Sequence, residues 1–297
     1  MQTSICLGRR REMQFMGYRR ADGRVGVRNY VLILPGCACA SETCRLVASE
    51  VRGTKNVIMN VGCSDVQANT DMNLRVLTGF ALNPNVFGVI VIGLGCETVG
   101  HRELAAKIRA ETSKPVVSFG IQEIGGTVAT TAAAVKAARE MVAQASEQQR
   151  EPCDASDLFV AIECGGSDAT SGIASNPAVG NMSDRIVDLG GTTMMSETIE
   201  FVGAEHILAK RGATPEIHDQ IIRICEDYEK HLAGVGQDCR TGQPTTGNKA
   251  GGLSTIEEKS LGCIHKGGTR PVVEVLQEAA RPTKKGALIM DTPGYDI

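Results

Sequence analysis

The sequence predicts an α/β protein of two domains, each a doubly wound, mostly parallel sheet. Short apolar runs alternate with helix-like stretches from Arg28 onward, and such βαβ succession sets strands parallel with helices on both faces. The 297 residues are enough for two domains of ordinary size. Midway, Glu147 to Asp154 (EQQREPCD) is polar and carries a proline, which marks a boundary. The expected division is a tail over 1–16, a first α/β domain over 17–150 and a second over 151–297. Both domains are expected to be Rossmann-like in build.

In the first half, Tyr30 to Leu34 (YVLIL) reads as a buried strand because it is a short, unbroken apolar run. A helix over Ser41 to Val51 follows, then a strand over Asn56 to Asn60 and a helix from Asn69 to Leu82. Val86 to Ile92 (VFGVIVI) is the most strand-like segment, rich in Val and Ile. A helix over Gly100 to Thr112, the strand Pro115 to Phe119 (PVVSF) and a long Ala-rich helix over Thr127 to Ala145 complete four βα units. The second half restarts with Asp157 to Ile162 (DLFVAI), a helix over Ala178 to Leu189 and the strand Gly191 to Ser196. Helices are expected near Glu205 to Arg211 and over Pro215 to Leu232. Gly234 to Gly252, rich in Gly, Thr, Gln and Asn, reads as a long functional loop. Helices over Thr255 to Leu261 and Pro271 to Ala280 and the strand Ala287 to Met290 close the pattern. Asp291 to Ile297 follows as a bare loop, so more protein, on this chain or a partner, is expected to complete the fold.

A net charge of −3 and a pI near 6.0 provide no basic field for nucleic acid. No apolar run approaches bilayer-spanning length, so no membrane partner is expected either. Trp is absent, which argues against stacking platforms for bases or sugar rings. Recognition of a small molecule by polar groups is the expectation. The 11 cysteines read as cytoplasmic thiols, because Met1 to Met16 is too polar and basic for a secretory leader.

The most informative stretch is Glu163-Cys164-Gly165-Gly166-Ser167-Asp168-Ala169-Thr170-Ser171-Gly172, directly after a strand. Its glycines let backbone N–H groups approach a ligand while its polar side chains supply chemistry. Ligands in open parallel sheets bind beyond the carboxyl ends of strands. There the sequence sets Gly36-Cys37-Ala38-Cys39, Gly62-Cys63-Ser64-Asp65 and Gly95-Cys96-Glu97-Thr98, with Cys164 repeating the arrangement. Either these are small residues packed under tight turns, or Cys39, Cys63, Cys96, Glu97 and Cys164 converge as ligands for iron, zinc or an iron–sulfur cluster. Ser196-Glu197-Thr198-Ile199-Glu200 leaves another strand, and Glu205 and His206 open the next helix. Such groups bind a metal or exchange protons, although Glu205 also suits the helix dipole. Lys259, His265 and Lys266 lie on a polar loop suited to an anion, and Arg24 with Arg28 forms either a carboxylate clamp or a solvated turn. Gly93-Leu94-Gly95 is only a fragment of a dinucleotide fingerprint.

In order along the chain, DGRVGVRN (Asp22 to Asn29), IGLGCE (Ile92 to Glu97), IQEIGGT (Ile121 to Thr127), ECGGSDATSG (Glu163 to Gly172), SET with GAEH, GGLSTIEEKSLG (Gly251 to Gly262) and MDTPGYD (Met290 to Asp296) resemble the altronate and galactarate dehydratases. The resemblance implies a cytoplasmic hydro-lyase of sugar-acid catabolism that dehydrates an altronate-type hexonate to a 2-keto-3-deoxy acid. It also implies iron(II), with manganese(II) or an iron–sulfur cluster as alternatives. Galactarate dehydration, sulfolactate sulfo-lyase chemistry, a role as a non-catalytic subunit, and nucleotide binding are the competing readings. Members usually continue past MDTPGYD and can use a small N-terminal domain, which here is either missing or a separate subunit; identical copies are a further partner. Within this reading Glu205, His206, Cys164 and Asp168 serve metal binding or proton transfer. Arg24, Arg28, Lys259, His265 and Lys266 face the carboxylate, and Ser167 and Asn248 face hydroxyls.

Overall fold

The structure is a computed structural model that describes residues 13–293. Residues 1–12 of the expected tail and the last four residues of MDTPGYDI lie outside the described residues. The chain forms two compact units, Phe15–Cys153 and Asp154–Ile297 together with Met1–Gln14.

The N-terminal unit runs β1 (Gln14–Arg19), β2 (Val25–Gly26), β3 (Tyr30–Pro35), α1 (Ala38–Glu50), β4 (Thr54–Asn56), α2 (Gln67–Leu82), β5 (Val86–Gly93), α3 (His101–Glu111), β6 (Val116–Gly120), α4 (Ile121–Ile124), α5 (Thr127–Glu147) and β7 (Glu151–Asp154). Its main sheet has the order β4-β3-β5-β6, with every pair parallel. Alternate residues of the central strands point to opposite faces. Val31, Ile33, Ile90 and Ile92 bury against Ala40, Cys44 and Val47 of α1 and Ala134 and Ala138 of α5. Leu32, Leu34, Val89 and Val91 bury against Leu77 of α2 and Leu104 and Ile108 of α3. That two-sided burial is why these strands read as continuous apolar runs. A smaller sheet, β2-β1-β7, lies outside that expectation, because β2 is only two residues long and β1 and β7 are mostly exposed or half-buried.

The C-terminal unit runs β8 (Phe159–Ile162), α6 (Ser175–Asp188), β9 (Thr192–Met195), α7 (Glu205–Leu208), α8 (Pro215–Gly234), α9 (Cys239–Gly242), α10 (Thr246–Ala250), α11 (Ile256–Cys263), β10 (Val272–Leu276) and β11 (Ala287–Met290). Its parallel sheet has the order β10-β11-β9-β8. The longest helix of this unit, α8, starts where Thr214 accepts a hydrogen bond from the Ile217 N–H, with Pro215 in the first turn. It buries Ile217, Ile221, Ile224, Tyr228 and Leu232 at helical spacing in the unit's core.

Three segments differ from expectation. The strand expected at Asn56 to Asn60 is Thr54–Asn56, so the residues leading to Cys63 are loop. The stretch Gly234 to Gly252 contains two single-turn helices, capped by the side chains of Asp238 and Thr245. Pro271 to Ala280 is not a helix. Val272–Leu276 pairs with β11 as an edge strand, in line with its three β-branched valines.

One packing contact fixes the site described below. Helix α6 lies so close to the 3₁₀ turn Ile264–Gly267 that a Cβ on Gly180 would sit 2.1 Å from the His265 carbonyl oxygen. On the same helix Ser183 Oγ donates to the Lys266 carbonyl at 2.8 Å. Gly180→Ala is expected to cost about 1–3 kcal/mol through overpacking, read as a lowered urea midpoint. An unchanged midpoint would show that the helix shifts freely away from the turn.

Candidate functional site

Beyond the carboxyl ends of β8 and β9, the C-terminal unit gathers a buried cluster. Cys164 follows β8 by one residue, and its N–H donates to Glu197 Oε2 at 2.8 Å. Its sulfur receives the Gly166 N–H at 3.3 Å and lies 3.4 Å from Ser167 Oγ, which is 3.7 Å from Cys263 Sγ. Glu197 follows β9 in a left-handed conformation, φ 69°, that non-glycine residues seldom adopt. That backbone is tied down from β11: Thr292 Oγ1 accepts the Glu197 N–H at 2.6 Å, and Thr198 Oγ1 donates to Asp291 Oδ1 at 2.7 Å. The turn then brings Glu200 three residues later into the same pocket. Cys164 Sγ and one oxygen from each of Glu197 and Glu200 lie within 4.8 Å of one another.

Lys266 supplies the cluster's positive charge. Its ammonium hydrogen-bonds Glu200 and stands 3.6 Å from Glu197, with all three side chains no more than 7 % exposed. Burial opposes the charged form of Lys266, but the Glu200 carboxylate overrides it and raises the pKa. Burial likewise pushes Glu200 toward the neutral acid, and Lys266 reverses that, leaving its pKa lowered. At the thiols burial prevails, even over the Lys266 charge that faces Cys263. Burial raises Cys164, against the Ser167 hydrogen bond, and pushes Cys263 up to about 12.

Ser167 and Cys263 also line a cleft of about 230 Å³. Asp168, Ser171, Asn176, Lys259 and His265 line it as well. Asp168 Oδ1 accepts from Thr170 Oγ1 at 2.8 Å and the Ser171 N–H at 2.6 Å, and these bonds lower its pKa. Lys259 Nζ reaches Gln243 Oε1 at 3.1 Å.

The sequence-derived site is thus gathered in part. Cys164 is in the cluster, and Ser167, Asp168, Lys259 and His265 line the cleft. Lys266 is not a surface cation for substrate; it is buried against carboxylates. Asn248 stands behind the cleft wall, donating from Nδ2 to the Ser167 carbonyl at 2.8 Å. Glu205 accepts the N–H of Gly203 at the start of α7, and His206 is exposed; neither lines the cleft nor belongs to the donor cluster. The carboxylates beside Cys164 are Glu197 and Glu200, both from the Ser196-to-Glu200 run that leaves β9.

In the N-terminal unit, Arg24 pairs with Asp22 at 2.6 Å and donates to the Leu82 carbonyl at 2.8 Å, which makes it a fastener of its own turn. Arg28 is exposed and bonds the Val27 carbonyl. Glu97 accepts the N–H groups of Gly95 at 2.6 Å and His101 at 3.2 Å, so its carboxylate braces a loop. Cys39, Cys63 and Cys96 are exposed at strand ends. Among the described residues, no close group of three or more His, Cys, Asp or Glu donors, all-cysteine groups included, contains any of these four.

Residues 155–297 match the profile described as D-galactarate/altronate dehydratase, C-terminal, and residues 17–146 match D-galactarate dehydratase/altronate hydrolase, second domain. The (2R)-sulfolactate sulfo-lyase subunit beta of Chromohalobacter salexigens is 41% identical over 94% of this chain and 71% of its own length. The chain belongs to the D-galactarate/altronate dehydratase family. Other members similar to it are the altronate dehydratase of Bacillus subtilis, 34% identical over 95% of this chain, and the galactarate dehydratase (L-threo-forming) of Escherichia coli, 35% identical over 95%. The chain spans 58% of the length of each of these two dehydratases. All three relatives are lyases by name. Among the described residues, no helix is long and apolar enough to cross a membrane.

Proposed function

We propose that the cleft and the cluster beside it form the elimination site of a hydro-lyase that dehydrates an altronate-type sugar acid to a 2-keto-3-deoxy acid in the cytoplasm. The supporting observation is the balance of the cleft lining. One ammonium, Lys259, and one imidazole, His265, face hydroxyl-binding Ser167, Ser171 and Asn176, with Asp168 and Glu258 adding negative charge. That lining suits a polyol with a single carboxylate better than a small dianion. Lys259 binds the carboxylate, and Ser167, Asn176 and Asp168 orient the hydroxyls. His265 takes the proton from carbon 2 and gives it to the departing 3-hydroxyl, which leaves as water, and the enol becomes the ketone.

One thiol and two carboxylates suit a borderline divalent ion such as iron(II) or manganese(II). The charge also fits: Glu197, Glu200 and an ionised Cys164 against Lys266 leave two negative charges for one divalent cation. Cys164, Glu197 and Glu200 would hold that ion, which as a Lewis acid acidifies a proton beside a carboxylate. The Glu200 carboxylate keeps Lys266 charged against its burial, so a fixed positive charge stands beside the carboxylates at neutral pH.

A second reading, sulfite elimination from sulfolactate, is favoured by the higher identity and coverage with the sulfo-lyase subunit beta. That relative's name also supports a partner subunit. The test is an anaerobic assay, after iron(II) addition, on altronate, galactarate and sulfolactate, with and without a small partner subunit. Keto acid from a sugar acid without sulfite release is the expected result; sulfite from sulfolactate alone would transfer the site to the second reading. His206→Ala is expected to retain its rate, and its complete loss would return proton transfer to α7.

A further inference from the structure

Lys266 can bridge Glu197 and Glu200 only if the turn that carries it is held still, and the side chains that hold it are not those of the elimination site. The turn Ile264–Gly267 presents His265 to the cleft and Lys266 to the two carboxylates. Gly268 follows in a conformation, φ 70° and ψ −151°, that is essentially confined to glycine. A backbone of that kind persists only where its surroundings over-determine it.

Two charged side chains do so. On α6, Asp184 Oδ1 accepts the N–H groups of Thr269 at 2.7 Å and Arg270 at 3.1 Å, and Oδ2 accepts from Thr269 Oγ1 at 2.8 Å. From the 3₁₀ turn Ala209–Arg211, the Arg211 guanidinium spans the same segment. Its Nη2 donates to the Gly267 carbonyl at 2.7 Å and to the Arg270 carbonyl at 2.9 Å, and its Nε donates to the Arg270 carbonyl at 3.2 Å. Gly267 closes on the guanidinium and on β9 together, because a Cβ there would lie 2.9 Å from Arg211 Nη1 and 2.5 Å from Met195 Sδ.

Arg211 is itself fixed at its root. The Ala213 N–H donates to the Val272 carbonyl at 2.8 Å and Gly212 bridges Val272, which ties the chain beside Arg211 to β10. As a source of stability the arrangement is a poor choice. Burial lowers the Arg211 pKa against the Asp184 carboxylate, and Nη1 is enclosed without a hydrogen-bond partner among the described residues. A buried polar group left unpaired costs more than an ordinary hydrogen bond contributes, and an apolar side chain of similar volume avoids that cost. What an apolar side chain lacks is a planar fork that fixes two carbonyls at once, and with them the path of the turn.

We propose that Arg211 is a positioning residue: through the Gly267 and Arg270 carbonyls it sets the turn so that Lys266 stands against Glu197 and Glu200 and His265 faces the cleft. Its consequence for rate rests on the elimination reading. Its consequence for the Lys266 ammonium does not.

The test uses the full chain, with Arg211→Met to remove the fork and Arg211→Lys to keep the charge without it, circular dichroism confirming the fold of each. The first readout is the nitrogen-15 NMR signal of the Lys266 ammonium at neutral pH, assigned by its loss in Lys266→Arg. A buried ammonium bound to a carboxylate exchanges its protons slowly enough to be seen, so the signal is expected in the wild type and lost in both Arg211 variants. The second readout is kcat against KM for the acid that the iron(II)-supplied wild type turns over. In both variants kcat should fall about 10²-fold, the effect of misplacing a reacting group by about 1 Å, with KM unchanged because Lys259 holds the substrate carboxylate from α11. An ammonium signal unchanged in Arg211→Met and Arg211→Lys would overturn the proposal. So would wild-type kcat in Arg211→Lys, because charge and packing alone would then account for Arg211. A wild type that turns over none of the acids defeats the elimination reading instead, and the ammonium signal alone then decides whether Arg211 sets the turn.

Discussion

Lys266→Ala is expected to be the most destabilising single replacement in the C-terminal unit, at about 3–5 kcal/mol. The reason is what remains behind. Glu197 and Glu200 are 6% and 3% exposed, and without the ammonium they are left facing each other away from solvent. Desolvation then favours protonating one of them, and the cost of that appears as lost stability. Lys266→Met should behave in the same way, which separates the loss of charge from the cavity that alanine leaves. Adding Glu200→Gln to Lys266→Met should return most of the loss, since removing both members of a buried pair is far milder than removing one. The sign of the pH dependence follows from the raised Lys266 pKa. Its contribution is fully present below the unfolded lysine value of about 10.4 and is lost as pH rises through the folded value. Equal urea midpoints for the wild type and Lys266→Met at neutral pH would show that the pair carries no such burden.

Most of the strands and helices were legible in the sequence because both faces of each main sheet are covered. Tyr30–Pro35 and Val86–Gly93 are apolar throughout for that reason, and Thr127–Glu147 shows its buried face as alanines at helical spacing. Where one face meets water the signal fades, as in Gln14–Arg19 and Glu151–Asp154, which look like boundary residues. Val272–Leu276 was misread because a short edge strand carries Glu274 and is followed by helix-favouring residues; only its β-branched valines betray it. At the site, the glycine-rich run after β8 identified the place, and Cys164, Ser167 and Asp168 stand there. The partners of Cys164 were harder to choose. Glu197 and Glu205 both follow β9 in polar stretches, and only the left-handed backbone at Glu197 turns its carboxylate inward. Lys266 lies 66 residues from Glu200, so their pairing is a product of the α6 contact with its turn, a tertiary fact with no local signature.

Glu200→Gln should lower turnover of whichever substrate the assay selects by about 10²–10⁴-fold, the usual worth of a group that handles protons or charge at a reacting centre. The replacement keeps shape and one oxygen for Lys266, so the fold should persist. What changes is charge: Lys266 loses the carboxylate that holds its pKa up, and the donor set for a divalent ion loses one anion. A merely structural Glu200 predicts something else, a stability change with normal turnover. The acid limb of stability gives the second readout. Because the Glu200 pKa is lowered in the folded protein, its contribution is present above the unfolded carboxylate value of about 4.3 and vanishes as pH falls through the folded value. The gap in stability between wild type and Glu200→Gln should therefore be constant near neutrality and close toward acid pH. A variant with wild-type turnover would remove Glu200 from the chemistry, while a gap that stays open in acid would show that the Lys266 contact does not hold Glu200 ionised.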